Sequence, residues 1–200
     1  MGYFQLFVNV FLKMFFVFTP FFVISMFLVM TKEFDERRKH RLAVKVTIAV
    51  IGITFFLFIC GKYAFNLFGI TLDAFRIGSG VLLFLSAITL VQGDISDQKA
   101  SSGSDIAVVP LALPITVGPA TVGALLVMGA EPLEVGAKVV ASCALLCAVL
   151  TIGSMLYLAG KIERVIGQNG LVILSKLTGL ILASIAAQII FTGIKNFLSA

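Results

Sequence analysis

Residues 110–121 read Pro-Leu-Ala-Leu-Pro-Ile-Thr-Val-Gly-Pro-Ala-Thr, so three prolines fall within one short apolar run. Each proline lacks a backbone donor and disturbs the turn before it, so an unbroken helix cannot pass through this stretch. A carbonyl without a partner in hydrocarbon costs several kcal/mol, unless protein buries it or a water-lined cavity reaches it. The sequence therefore predicts a broken helix inside a bundle of membrane helices.

A weaker version of this break occurs in the first apolar run at Thr19-Pro20, and Pro20 lies 99 positions before Pro119. Helix-breaking residues at one constant offset predict an internal duplication, with a broken helix opening each half. This architecture is typical of transporters. Three further pairs share the offset: Gly61 and Gly160, Lys62 and Lys161, and Gly80 and Gly179.

The composition is that of an integral membrane protein, with 60% hydrophobic residues, 12% charged residues and a mean hydropathy of +1.11. Soluble domains carry about 25% charged residues. A spanning helix needs about 20 largely apolar residues, and stretches of this length without period-2 alternation argue against a β-barrel. Six stretches qualify: Phe4 to Met30, Leu42 to Cys60, Ala74 to Val91, Ile106 to Ala130, Val135 to Ala159 and Leu171 to Ile194.

Residues 92–105 are rich in Ser, Gly and Asp, a composition typical of a flexible linker. They separate three predicted spans from three. An odd number of spans in each half forces opposite orientations, so the duplication is predicted to be inverted. The expected fold is an all-α membrane protein of six transmembrane helices. Its two inverted three-helix repeats cover residues 1–91 and 106–200, with helices 1 and 4 broken.

Two shorter polar segments are predicted to connect the spans. Residues 61–73 contain Lys, Tyr, Asn and Gly and suit an interfacial turn with aromatic anchoring. Residues 160–170 are expected to form a loop. Residues 92–105 and 160–170 are expected on the same side of the membrane as the first loop, and residues 61–73 on the opposite side.

The positive charges of the chain predict its orientation. The net charge is +5, but six of the 15 Lys and Arg residues lie in or just after the first loop. Cytoplasmic loops carry such an excess, so both termini are predicted to face outward, away from the cytoplasm. The cluster also suits anionic lipid rather than nucleic acid. Its members are Lys32, Arg37, Arg38, Lys39, Arg41 and Lys45.

The two breaks are the candidate site for a small polar solute. Two half-helix ends that meet near the middle of the membrane would supply unpaired amides and carbonyls, and nearby threonines would add hydroxyls. The alternative is that the prolines only kink their helices. The candidate substrate-binding residues are Thr19, Pro20, Thr116, Gly118, Pro119 and Thr121.

Arg76 is the second candidate, because it lies near the start of the third predicted span. Asp73 lies three residues earlier on the same helix face, which favours a local ion pair. Contact with a substrate carboxylate, or a gate, is the alternative. None of the Asp and Glu residues lies deep in a span, which weakens proton coupling and leaves sodium coupling or uncoupled transport open.

No catalytic, metal or cofactor site is expected. Cys60, Cys143 and Cys147 fall in predicted spans and are interpreted as small packing residues. His40 lies in the basic loop and is expected to be solvated. An intramembrane enzyme would need an Asp pair, a Ser with a His, or a metal cluster, and the sequence contains none in a span.

Two long motifs resemble a known family. Residues 110–114 with Gly118-Pro119-Ala120 are similar to the fourth-span signature of the MarC family of six-span membrane proteins, and residues 68–85 are similar to its third-span pattern. The resemblance implies an inner-membrane protein of the lysine-exporter superfamily that transports small neutral amino acids. Span one departs from the family, which has Asn-Pro-Ile-Gly where this chain has Thr19-Pro20-Phe21-Phe22. This difference predicts a smaller and less polar site.

The expected function is therefore a secondary transporter or exporter of small neutral solutes. A non-transporting scaffold or lipid-interacting protein is the alternative. The expected partners are the solute and the lipid bilayer; a coupling ion such as sodium and a homo-oligomer both stay open.

Overall fold

The structure is a computed structural model that describes residues 2–93 and 116–199. Most of the predicted linker over 92–105, together with Pro110 and Pro114, lies outside these residues. The regular elements within the two ranges are α-helices. They are α1 (Tyr3–Val17), α2 (Pro20–Met30), α3 (Glu36–Phe68), α4 (Leu72–Gln92), α5 (Pro119–Ala130), α6 (Val135–Tyr157) and α7 (Ala159–Leu198).

The helices of the described ranges fit the six predicted spans. Five segments are long and apolar enough to cross a membrane, and α5 is a shorter apolar helix. The first part of the predicted fourth span lies outside the described residues. The chain is therefore a helical membrane protein. The five segments are Tyr3–Met30, Glu36–Gly61, Leu72–Gln92, Val135–Tyr157 and Ala159–Leu198.

The two ends of the bundle are marked by contacts between helices. At one end, the hydroxyl of Tyr3 lies against Gly136 at the start of α6; we call this the Tyr3 end. At the other end, the ring of His40 stacks on Tyr157, with centroids 4.1 Å apart; we call this the His40 end. His40 was expected to be solvated, but it is half-buried because α3 begins at Glu36 and carries the ring against α6.

The first apolar segment changes conformation at Phe18 and Thr19. α1 ends at Val17 and α2 begins at Pro20, the favoured position for proline in a helix. Pro20 cannot donate to the carbonyl of Phe16, and that carbonyl instead accepts from the N–H of Thr19 at 3.0 Å. Thr19 has φ 49° and ψ 58°, a left-handed conformation that is uncommon outside glycine.

The interpretation of residues 61–73 as an interfacial turn is largely wrong, because α3 continues to Phe68. No proline interrupts the segment. Phe65 is only 9% exposed and packs edge-to-face on Phe75, with ring centroids 4.8 Å apart. The turn is confined to Gly69 and the two residues after it. Gly69 ends α3 with φ 63°, and the Thr71 hydroxyl caps α4.

The predicted loop over 160–170 is also mostly helical. α7 begins at Ala159, and its backbone leaves helical geometry at Gly167, with φ 74° and ψ 162°. A side chain there would be strained, whereas glycine adopts this conformation readily. The segment before Gly167 is therefore a short helix set apart from the long final span.

The cysteines of α6 do not pack inside the protein as expected, since Cys143 and Cys147 are exposed. α6 buries a stripe at helical spacing that contains Ala141, Ala144 and Ala148. Residues 143 and 147 lie off this stripe, on the face turned away from the other helices.

α4 and α7 pack along each other in antiparallel directions, and glycine permits their close approach. A Cβ atom built on Gly80 would lie 2.6 Å from the side chain of Ile190 and 3.3 Å from the carbonyl of Ala186. The same helices meet again further along, where a Cβ on Gly179 would lie 2.9 Å from Val91 and 3.0 Å from the carbonyl of Ala87.

Candidate solute-binding site

A hydroxyl–carbonyl contact joins the end of α1 to the first turn of α5. Thr121 Oγ1 donates to the backbone oxygen of Val17 at 3.3 Å, and Thr121 is only 4% exposed. In a continuous helix this carbonyl would accept from the residue four positions later, but the chain changes direction at Thr19. The threonine therefore supplies a partner for a carbonyl at the end of α1.

α2 and α5 begin in the same way, because Pro20 and Pro119 each occupy the first helical position. In both helices the residue three after the proline donates its N–H to the carbonyl of the residue before the proline. The N–H groups between these positions have no intrahelical partner, and such helix starts favour negative charge. The two equivalent bonds, each 3.0 Å long, run from Val23 to Thr19 and from Val122 to Gly118.

The six predicted site residues lie at these two helix starts, with different burial. The structure brings Thr121 against α1, whereas the bonds to the carbonyls of Thr19 and Gly118 lie within their own helices. Pro20, Thr116 and Thr121 are buried, Thr19 and Gly118 are half-buried, and Pro119 is exposed.

A cavity of about 220 Å³ opens near the Tyr3 end, between α1, α4, α5 and α7. Its lining includes Met14 and Ala124, which lie three residues from Val17 and Thr121 respectively. One helical turn therefore separates the cavity from the contact between α1 and α5. Within the described lining, none of the six predicted site residues is present.

Most polar residues of the cavity were not predicted as site residues. Four of them form two pairs, one on α1 and one on α7. The two residues of each pair lie four positions apart and therefore share one face of their apolar helix. Polar residues at this spacing in a membrane span are a recognisable sign of a cavity. The polar lining consists of Asn9 and Lys13 from α1, Arg76 from α4, Glu131 after α5, and Gln188 and Thr192 from α7.

The predicted ion pair between Asp73 and Arg76 is present and forms part of a larger network. Arg76 donates from Nη1 to Asp73 at 2.8 Å and from Nη2 to Glu131 at 3.0 Å. Asp73 also accepts from the side-chain amide of Asn196 at 3.3 Å. The Arg76 side chain is 13% exposed, so these contacts tie α4 to both α5 and α7 beside the cavity. No sequence pattern linked Arg76 to Glu131, 55 positions away.

Comparison with known proteins identifies the family of this chain. The model of MarC family integral membrane proteins matches residues 4–198. The chain belongs to the MarC family. Among its relatives, an Aquifex aeolicus UPF0056 membrane protein is 30% identical, over 96% of this chain and 94% of the relative. The Methanocaldococcus jannaschii UPF0056 membrane protein MJ1677 is 31% identical, over 97% and 98%.

A third relative, matched over a similar length, is the Escherichia coli UPF0056 membrane protein YhcE, which is 28% identical over 96% of this chain and 94% of the relative. These names describe MarC family members as membrane proteins. No solved structure matches the chain.

Proposed function

We propose that this protein is a secondary transporter of small neutral solutes, with amino acids as the class that the family resemblance implies. One observation carries the proposal: a cavity with polar and charged side chains in its wall lies within one turn of the contact between the end of α1 and the first turn of α5. Polar residues within a membrane bundle typically mark a solute or ion pathway.

In this proposal the solute binds beside the contact between the end of α1 and the first turn of α5, close to both helix starts. Unpaired N–H groups at the starts of α2 and α5, with the hydroxyls of Thr19 and Thr121, would recognise polar groups. Gly118 would leave room for the solute. Pro20, Pro119 and Thr116 would hold the backbone in the required shape.

The proposal also includes an inverted repeat of residues 1–91 and 106–200, with residues 92–105 as the linker. Contacts between α4 and α7 support this repeat. Adding 99 to the residue numbers on α4 gives the numbers of the equivalent residues on α7. Gly80 faces Ala186 and Ile190, and its counterpart Gly179 faces Ala87 and Val91. A two-fold axis that exchanges antiparallel helices lies in the membrane plane, and this arrangement underlies alternating access in many transporters.

For the orientation, we propose that the His40 end faces the cytoplasm of an inner membrane. The basic first loop and Arg164 of α7 lie toward this end, and cytoplasmic segments are enriched in Lys and Arg. The cavity and both termini would then face the exterior.

Flux into proteoliposomes tests the proposal. The wild-type protein is expected to accelerate uptake or exchange of a labelled small amino acid. Gly118→Leu should reduce flux to that of protein-free vesicles, because its side chain would enter the space between the helix starts. Gly52→Leu is the matched control, since a side chain at Gly52 meets nothing within 4 Å.

Two results would contradict the proposal. Absence of flux for correctly inserted wild-type protein, across a panel of neutral amino acids, would favour a scaffold or lipid-interacting role. Normal flux through folded Gly118→Leu would place the solute pathway elsewhere in the bundle.

A further inference from the structure

Lys13 places a positive charge well inside the first apolar segment. It follows Tyr3 by ten residues on α1, a distance of about 15 Å at 1.5 Å per residue. Only one turn separates it from Val17 at the end of the helix. Ionisable residues at such depth are rare, face the bundle interior or a water-filled cavity, and mark pathways for solutes. Lys13 lines the cavity described above.

The other charges of the cavity leave Lys13 as the cation that a solute can engage. Among the described residues, the ion pairs near the cavity join Arg76 to Asp73 and Glu131, and none includes Lys13. Both carboxylates are thus already engaged by one guanidinium. Asn9 lies one turn before Lys13 on the same face and adds an amide to the same wall.

Glu131, directly after the end of α5, supplies the opposite charge to the same cavity. Its Oε1 atom accepts from Arg76, while the side chain remains 37% exposed. A carboxylate has acceptor sites on two oxygens, so Glu131 can bind a second cationic donor without releasing Arg76. The cavity therefore presents a positive charge on α1 and a negative charge after α5.

We infer that this cavity binds a small zwitterion, with the carboxylate of the solute on Lys13 and Asn9 and its ammonium group at Glu131. The inference rests on the transport function proposed above and assigns its first binding step. In this pose the carboxylate points toward the starts of α2 and α5, where free N–H groups also favour an anion.

The size of the cavity restricts the solute. Pockets for drug-sized ligands begin at about 300 Å³, and this cavity of about 220 Å³ is smaller. The cavity therefore suits short α-amino carboxylates better than drug-sized solutes.

Binding of three related probes tests the assignment, using the full-length protein in nanodiscs of zwitterionic lipid. L-alanine carries both charges, L-alaninamide lacks the carboxylate, and propionate lacks the ammonium group. Isothermal titration should give clearly tighter binding for alanine than for alaninamide. Lys13→Gln should weaken binding of alanine and of propionate by about tenfold to a hundredfold, as expected when a charged hydrogen bond is lost.

Lys176→Gln is the matched control, because it removes the same charge from a different apolar helix outside the cavity lining. It is expected to bind alanine like the wild type. Lys13→Arg keeps the charge and should retain most of the affinity. Glu131→Gln should weaken alanine binding while leaving propionate binding nearly unchanged.

Equal affinity of the wild type for alanine and alaninamide would overturn the inference, and so would unchanged alanine binding in Lys13→Gln. The comparison of alanine with alaninamide in the wild type tests the inference even if Lys13→Gln does not fold. Flux separates the two proposals. Normal transport with no dependence on Lys13 rejects only this site, whereas Lys13-dependent binding without flux rejects only the transport function.

Discussion

Two pairs of glycines share the offset of 99 residues but pack in different ways. Gly80 and Gly179 each lie against the helix of the opposite half, and each faces an alanine carbonyl and a β-branched side chain. Gly61 lies directly against the backbone of α5, at Leu126. Gly160, its counterpart in sequence, has nothing within 4 Å of a built Cβ atom.

The difference shows in which part of the molecule residues at the same offset also pack in the same way. α4 and α7 cross each other, so each of their glycines serves one side of the same interface. Gly160 lies in the short helical segment before Gly167, which is set apart from the long part of α7. An equal offset in sequence therefore predicts equal packing only where the two helices also have equivalent neighbours.

The largest expected effect is a difference in stability between a substitution at Gly61 and the same substitution at Gly160. In Gly61→Val, the new side chain would meet the carbonyl of Leu126, the N–H of Ala130 and the carbonyl carbon of Gly129, which are all backbone atoms. Because α5 would have to move as a unit, we expect the free energy of unfolding to fall by about 3 kcal/mol or more. Gly160→Val should change stability by less than about 0.5 kcal/mol.

Thermal unfolding of the purified variants in one detergent measures this difference. Equal melting temperatures for the two variants would show that α3 and α5 do not approach as closely as the structure places them.

A smaller and more symmetric effect is expected at the other pair. Gly80→Ala and Gly179→Ala should each cost about 1 to 3 kcal/mol, because both insert a methyl group into the α4–α7 contact. Gly179→Ala should fall at the upper end, since the Ala87 carbonyl at 3.0 Å cannot rotate away as the Ile190 side chain opposite Gly80 can. A neutral result at one position and a severe one at the other would argue against the inverted repeat.

The sequence predicted the helical membrane fold, the family and the helix starts at Pro20 and Pro119, because proline acts on its own local backbone. It also predicted the contact between Asp73 and Arg76, which lie one turn apart. These features depend on neighbours in the chain, and short-range rules describe them well.

The sequence did not predict features that depend on tertiary contacts. The bond from Arg76 to Glu131 requires α4 and α5 to be adjacent, and no local pattern contains that information. The same holds for the cavity, although the four-residue spacing of Asn9 and Lys13 was a visible signal. The helical continuation of α3 to Phe68 is hard to predict from the sequence, because the polar residues of 61–73 favour a turn while their lack of proline allows a helix.

The smallest expected effect concerns the contact between the end of α1 and the start of α5. Thr121→Val replaces the hydroxyl that donates to Val17 with a methyl group of similar size. The carbonyl of Val17 would lose this donor in a buried position, and such a loss typically costs about 0.5 to 1.5 kcal/mol. Thr151→Val is the matched control, because the Thr151 hydroxyl is exposed and bonds only the Cys147 carbonyl of its own helix. We expect a lower melting temperature for Thr121→Val and little change for Thr151→Val. If both variants melt like the wild type, water or another group satisfies the Val17 carbonyl, and the turn between α1 and α2 does not depend on α5.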